Sequence, residues 1–143
     1  MKLYTLGLDF GTESARSLLV DVQTGEVAGM ESMAYPDGVI DSYLPDNTTL
    51  LPPDFALQNP QDWLTTLEFT ARNALQKANI QPEQVIGIGI DFTASTILPT
   101  RTDGTPLCQT DKWRGHPQAW PQLWKHHAAQ PQAERMMQVA GER

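Results

Sequence analysis

The chain has 143 residues, of which 40% are hydrophobic, and a formal net charge of -7. That length suits one domain with a modest core, and the acidity argues against nucleic acid as the main partner. The single Cys108 forms no internal disulfide, no stretch approaches the roughly 20 apolar residues of a membrane span, and Met1-Lys2 leads straight into an apolar run without a signal segment, so a cytoplasmic protein with no membrane partner is expected.

Residues 3–9 are predicted as a buried strand that ends on Asp9 and runs into Phe10-Gly11-Thr12-Glu13-Ser14-Ala15-Arg16. An acid, a glycine turn with hydroxyls and then an arginine is one way to hold a nucleotide's phosphates and their metal ion. Backbone amides and the Thr12 and Ser14 hydroxyls reach phosphate oxygens at such a turn, and Gly11 lets the backbone come close. A strand-end carboxylate such as Asp9 holds Mg²⁺, usually through water. Arg16 is spaced to return over the turn and pair with phosphate. No Gly-Lys-Ser/Thr follows, so this is not a Walker loop. The plain alternative is an ordinary strand–turn–strand with a solvent-facing acid.

Residues 15–22 read as a second strand, Gln23-Thr24-Gly25-Glu26 as a hairpin turn, and residues 27–35 as a third, antiparallel strand. Residues 36–59 carry Pro36, Pro45, Pro52 and Pro53 among several Asp and Asn, which predicts a long irregular excursion. Loops of that length are functional or mobile more often than not, and a surface insertion without chemistry is the competing reading.

Asn59-Pro60-Gln61-Asp62 is a helix start: a capping side chain, proline in the first turn, and an acid at the positive pole. Trp63, Leu67, Ala71, Leu75 and Ala78 fall near one face and predict core packing, and Gln81-Pro82 ends the helix. Residues 85–91, Val-Ile-Gly-Ile-Gly-Ile-Asp, predict a strand buried on both faces, with Gly87 and Gly89 admitting a helix. Ile97 to Thr100 reads as a further strand turned by Asp103-Gly104. Residues 117–127 and 131–140 read as helices with Leu123, Trp124, Met136 and Met137 as apolar positions. The order predicts an α/β protein.

A second candidate constellation is Asp91-Phe92-Thr93-Ala94-Ser95-Thr96, where a strand again ends in an acid followed by small and hydroxyl residues. Ligands of open α/β sheets bind beyond the carboxyl ends of strands, and these residues leave room for a polyol and can hydrogen-bond it. A third is Leu123-Trp124-Lys125-His126-His127: Trp124 offers an apolar wall to a sugar and Lys125 a cation to an anion. Adjacent histidines are poorly spaced to share a metal, and a helix end with cations at its negative pole explains them as well. Trp113, Arg114, His116 and Trp120 read as a surface turn with partly buried aromatics.

Leu6 to Arg16 resembles the first phosphate motif of the actin-like ATPase superfamily. Gly87 to Thr96, together with Leu123-Trp124-Lys125-His126-His127-Ala128-Ala129, resembles the carbohydrate kinases of the FGGY family, in particular those acting on L-ribulose in arabinose breakdown. Gly38 to Pro45 and Ala56 to Pro60 fit the same family less distinctively. The resemblance implies an actin-like (ribonuclease H-like) fold with an incomplete first lobe, residues 1–143 being part of the N-terminal domain. It implies ATP and Mg²⁺ as cofactors and transfer of the γ-phosphoryl group to L-ribulose. It implies Asp9 beside the metal and Gly11, Thr12, Ser14 and Arg16 along the phosphates. Thr93, Ala94 and Ser95 would lie at the sugar, with Trp124 as a wall and Lys125 nearby. Glu13 and Ala94 depart from the wider superfamily. Ala94 stands where glycerol kinases carry a bulkier polar residue, which leaves room for a larger polyol. The general base and the second lobe are expected beyond Arg143, so this chain is expected to be inactive alone, with the remainder of the kinase as its partner and a homo-oligomer left open. A kinase for D-ribulose or ribitol and a non-catalytic actin-like interaction module remain as alternatives.

Overall fold

The computed structural model describes residues 1–141. The chain forms two compact units, one from Met1–Gly38 and Asn59–Ala94, the other from Val39–Gln58 and the chain from Ser95 on.

The first unit is a sheet with one helix. Strands β1 (Tyr4–Phe10), β2 (Ser14–Asp21), β3 (Val27–Ala34) and β4 (Val85–Phe92) lie in the order β3-β2-β1-β4. The β1–β2 and β2–β3 pairs are antiparallel, and β1–β4 is parallel. The β2–β3 hairpin turns where expected, with Gly25 at φ 72° and the Asp21 carboxylate accepting the Gln23 and Thr24 amides at 2.9 and 3.3 Å. These bonds hold the Asp21 carboxyl below the usual carboxylate range.

Helix α1 (Pro60–Ala78) starts on Asn59, whose side chain accepts the Gln61 amide at 2.9 Å, and ends on Asn79 in the left-handed region. Tyr4, Leu6, Leu8 and Phe10 of β1 are buried on the face that meets α1, with Ala15 and Leu19 of β2. Trp63, Leu67, Ala71, Leu75 and Ala78 pack against that core as predicted, but only partly buried. The deepest line of α1 runs beside them, through Asp62, Thr66, Thr70 and Ala74. Small side chains belong there because the helix lies very close to the sheet. A Cβ on Gly29 would come within 2.9 Å of Ala78 Cβ and 3.0 Å of the Ala74 carbonyl. The threonine hydroxyls donate back to the carbonyls of Asp62 and Thr66, both at 2.7 Å, and Thr70 shares a 2.8 Å bond with Ser17. The buried hydroxyls of Ser17, Thr66 and Thr70 are thereby satisfied.

Strand β4 corrects one expectation. It is an edge strand, and Ile86, Ile88 and Ile90 are 57, 64 and 69% exposed rather than buried. Their face is that of the α1 core, since Ile88, Ile90 and Phe92 register with Leu6, Leu8 and Phe10. The helix covers β2 and β3 and meets only the margin of β1. Only Phe92 finds aromatic cover, from Trp63 edge-on at 4.9 Å. Nor do the β4 glycines admit a helix: a Cβ on Gly89 would meet nothing within 4 Å, and one on Gly87 only Thr5.

The second unit has little regular structure. Its core gathers Ile40, Leu44, Leu51, Phe55 and Leu57 with Cys108, Ala119 and Trp120. The predicted excursion is therefore irregular, as read, yet it supplies half of a core rather than decorating a surface. Isolated bridges hold it: Ile40 to Leu57, Leu57 to Gln122, and Ile97 to Gln122. The predicted strand over Ile97–Thr100 is reduced to bridges at its two ends, because Pro99 has no amide to donate. The predicted helix over 117–127 does not form either. A short 3₁₀ turn covers Pro117–Ala119, and Trp120, which precedes Pro121, is extended at ψ 154°. Residues 121–123 then pair with the 56–58 segment, through Gln58 N–H to the Pro121 carbonyl and Leu123 N–H to the Ala56 carbonyl. Trp120 is buried and donates its indole N–H to the Arg114 carbonyl at 2.9 Å. Helix α2 (Gln130–Gly141) forms as predicted, with Met136 and Met137 exposed.

Candidate active site

Residues 10–14 form a tight turn between β1 and β2. Gly11 N–H donates to the Ser14 carbonyl at 2.9 Å, and a Cβ on Gly11 would come within 3.2 Å of that same oxygen. Glycine therefore serves closure here, and its own amide is engaged within the turn. Tyr35 grips the turn from behind: its amide donates to the Glu13 carbonyl at 2.9 Å and its hydroxyl to the Gly11 carbonyl at 3.1 Å. Burial, with the charges of Asp9 and Asp62, pushes the Tyr35 hydroxyl up to about 12, so it remains a donor at neutral pH.

Asp9 alternates with the buried Leu8 and Phe10, so it lies on the sheet face away from α1. Arg16, its register partner on β2, meets it on that face through Nε to Oδ2 at 2.9 Å. The two side chains are 41% and 57% exposed, so the pair adds little stability but fixes the orientation of both groups. Gly7 and Gly89 pave the neighbouring positions of β1 and β4. With Leu18 and Asp91 they outline a shallow concavity of about 530 Å³, with the carboxylates of Asp9 and Asp91 and the Arg16 guanidinium along it. Asp91 registers with Asp9 on the adjacent parallel strand.

Thr93 follows β4 and is tied to the turn. Both its amide and its hydroxyl donate to the Phe10 carbonyl, at 3.0 and 2.7 Å. The phosphate-type turn and the first residues of the second constellation are thus one hydrogen-bonded piece of the first unit. Ala94 closes that unit.

Ser95, Trp124 and Lys125 belong to the second unit. Ser95 sits at φ 60°, a left-handed backbone that costs a non-glycine residue about 1 kcal/mol or more and is concentrated at functional loops. Thr96 Oγ1 beside it is buried without a hydrogen-bond partner. Trp124 and Lys125 are the two central residues of a turn closed by His126 N–H to the Leu123 carbonyl at 2.9 Å. The indole of Trp124 is 59% exposed, as a stacking wall requires. Tyr35 and His126 are the residues that reading the sequence did not single out for their actual contacts. Their partners lie 24 and 70 positions away, a distance no spacing rule covers.

The fold is the actin-like ATPase fold, present as an incomplete lobe. Solved structures that share it include a gluconate kinase from Lactobacillus acidophilus, with TM-score 0.68 and 17% identity over 100% of this chain and 23% of that one. A xyloylose kinase from Brucella ovis gives TM-score 0.71 and 17% identity over 96% of this chain and 24% of that one. Residues 4–138 match the FGGY family of carbohydrate kinases, N-terminal domain, and the chain belongs to that family. Its curated relatives include the ribulokinase of Shouchella clausii, 47% identical over 100% of this chain and 26% of its own length. The ribulokinase of Geobacillus thermodenitrificans is 45% identical over 99% of this chain and 25% of its own. The chain thus spans about a quarter of the length of the curated relatives it matches. Among the described residues no helix is long and apolar enough to cross a membrane.

Proposed function

We propose that the intact protein is a cytoplasmic ATP-dependent sugar kinase that phosphorylates L-ribulose to L-ribulose 5-phosphate in arabinose breakdown, and that this chain is the N-terminal part of its N-terminal domain. The observation that carries the reading is the Asp9–Arg16 pair on a glycine-floored sheet face, at the mouth of a glycine–hydroxyl turn. The identity to ribulokinases over nearly the whole chain supports the choice of sugar.

The residues present fit a metal-bound nucleotide. Asp9 is an exposed carboxylate at a strand end, suited to holding Mg²⁺ through water. Thr12 and Ser14 bring hydroxyls to the turn, Gly11 keeps it narrow, and Arg16 brings a fork of N–H donors for phosphate oxygens. A metal bound with ATP supplies charge neutralisation during transfer of the phosphoryl group. The family resemblance assigns Thr93, Ala94, Ser95, Trp124 and Lys125 as the sugar-contacting residues. Ala94 keeps its position small and Trp124 offers a flat apolar face to the carbon skeleton. The sugar hydroxyl oxygen attacks the γ-phosphorus, the bond to the β-phosphate oxygen breaks, and the hydroxyl proton passes to a base carried by the remainder of the kinase. The exposed isoleucine face of β4 supports this incompleteness, because apolar faces of that kind are covered in finished domains.

The test is a phosphorylation assay on the intact protein with L-ribulose, D-ribulose, ribitol and glycerol in parallel, and the 143-residue chain alone as control. Turnover of L-ribulose is expected only from the intact protein, and Asp9→Asn is expected to lower it by about 100-fold or more. Preference for another acceptor would move the substrate. Turnover by the short chain alone would refute the division of labour.

A further inference from the structure

The turn that presents Trp124 and Lys125 is fastened to one short segment, Asp54–Ala56, within the second unit. Leu123 N–H donates to the Ala56 carbonyl at 3.0 Å, and His127 N–H to the Asp54 carbonyl at 2.9 Å. A third bond runs the other way: Ala56 N–H donates to His126 Nδ1 at 3.2 Å. The His126 ring also stands edge-on to Phe55, with centroids 4.5 Å apart. The first two bonds are between backbone groups and do not respond to pH. The third exists only while Nδ1 carries a lone pair, which puts the ring proton on Nε2.

We propose that His126 is the positioning residue of the Trp124–Lys125 turn: its neutral imidazole locks the turn to Ala56, and its protonation releases the turn and weakens capture of the sugar. The proposal rests on the sugar-kinase reading for what the turn binds, and on geometry alone for how it is held. On protonation Nδ1 becomes a donor facing another donor, the Ala56 amide, so one bond is lost and a repulsion replaces it.

The surroundings do not rescue the cation. The hollow that His126 lines is otherwise lined by Pro52 and Phe55 from one segment, Gln118 and Gln122 from a second, and Ala128, Ala129 and Gln132 from a third, all uncharged. The neighbouring titratable group is His127, which adds a like charge. Burial first, and His127 second, accordingly hold His126 below its ordinary value of 6.5. The sign follows. A base whose folded-state value is depressed contributes stability that is complete above its unfolded value of 6.5 and is lost as pH falls below it. The clasp is closed at neutral pH and opens in mild acid.

The test uses the intact protein labelled with 5-fluorotryptophan, the Trp124 resonance being assigned by Trp124→Phe. Between about pH 8 and about pH 5 that resonance is expected to shift with a midpoint below 6.5, while in His126→Asn it stays flat, because the amide oxygen supplies an acceptor near Nδ1 that does not titrate. KM for L-ribulose is expected to rise about fivefold on acidification, with a smaller change in kcat, the size of one net hydrogen bond. His126→Leu is expected to show the acid phenotype already at neutral pH, and rescue by Asn separates loss of the acceptor from loss of bulk. A Trp124 resonance that ignores pH in the wild type, or titrates equally in His126→Asn, overturns the proposal, and the wild-type profile decides the matter even if a variant fails to fold. An intact protein that binds no sugar at any pH removes the kinase reading instead, while the Trp124 resonance still decides on the clasp.

Discussion

The two units reach a buried core by opposite routes. In the first, most of the apolar core comes from periodic elements, alternating residues of β1 and β2 under one face of α1, with Tyr35 and Ile80 added from just beyond β3 and α1. In the second, the core residues sit on segments with almost no regular structure, joined by single bridges and turns. The contrast shows that irregular backbone carries a core when proline and turn residues steer it and its polar groups pair segment to segment. It also puts the Gly11 turn on the framework of regular elements and the Trp124–Lys125 turn on the irregular one.

Matched cavities should probe this difference most strongly. Leu19 and Leu57 are each fully buried, one per unit. Truncation to Ala at either position is expected to cost about 2–5 kcal/mol. Hydrogen exchange on the intact protein should show the loss of protection confined to the unit that carries the change. Spread of deprotection from Leu57→Ala into β1 and β2 would mean the two cores melt as one.

Ile88→Ser sharpens the comparison at the β4 face. In the short chain this residue is 64% exposed, so the change is expected to leave stability within about 0.5 kcal/mol and to raise solubility. On the proposal that the remainder of the kinase covers this face in the intact protein, the same change is expected there to cost about 2 kcal/mol or more in chemical unfolding. Equal effects in both would remove the covered-face reading.

Tyr35→Phe gives the smallest effect. It removes one hydroxyl bond to the Gly11 carbonyl and is expected to cost about 1 kcal/mol, measured by urea unfolding. Because the folded-state value of Tyr35 is raised from 10 to about 12, its contribution is complete below 10 and is lost as pH climbs through that window. The variant should lack that part of the alkaline decline.

Much of the first unit was legible because periodicity and caps are local. The strands, the Gly25 turn and the Asn59 cap each follow from a few neighbouring residues. The position of β4 at an edge was not, since an apolar alternation reads alike whether or not something covers it. The helix expected over 117–127 failed where Pro121 forces Trp120 to extend, a local signal that the apolar spacing outweighed. Asp9 and Arg16 were legible as members of one constellation, but Arg16 was expected on phosphate, and its ion pair with Asp9 follows from the β1–β2 register. Thr93 was expected at the sugar, but its bonds to Phe10 depend on which strand lies beside β1, information that no window of sequence contains.

Those two bonds have a consequence for how the first unit transmits strain. The Phe10 carbonyl and the Gly11 N–H belong to the same peptide unit: the carbonyl accepts both donors of Thr93, and the N–H donates to the Ser14 carbonyl. Electron density drawn toward Thr93 at one end makes the amide a stronger donor at the other, by about 10–30% per bond in such relays. A single rigid plane, the 10–11 peptide, is therefore the joint through which a shift of the loop after β4 tightens or loosens the turn after β1.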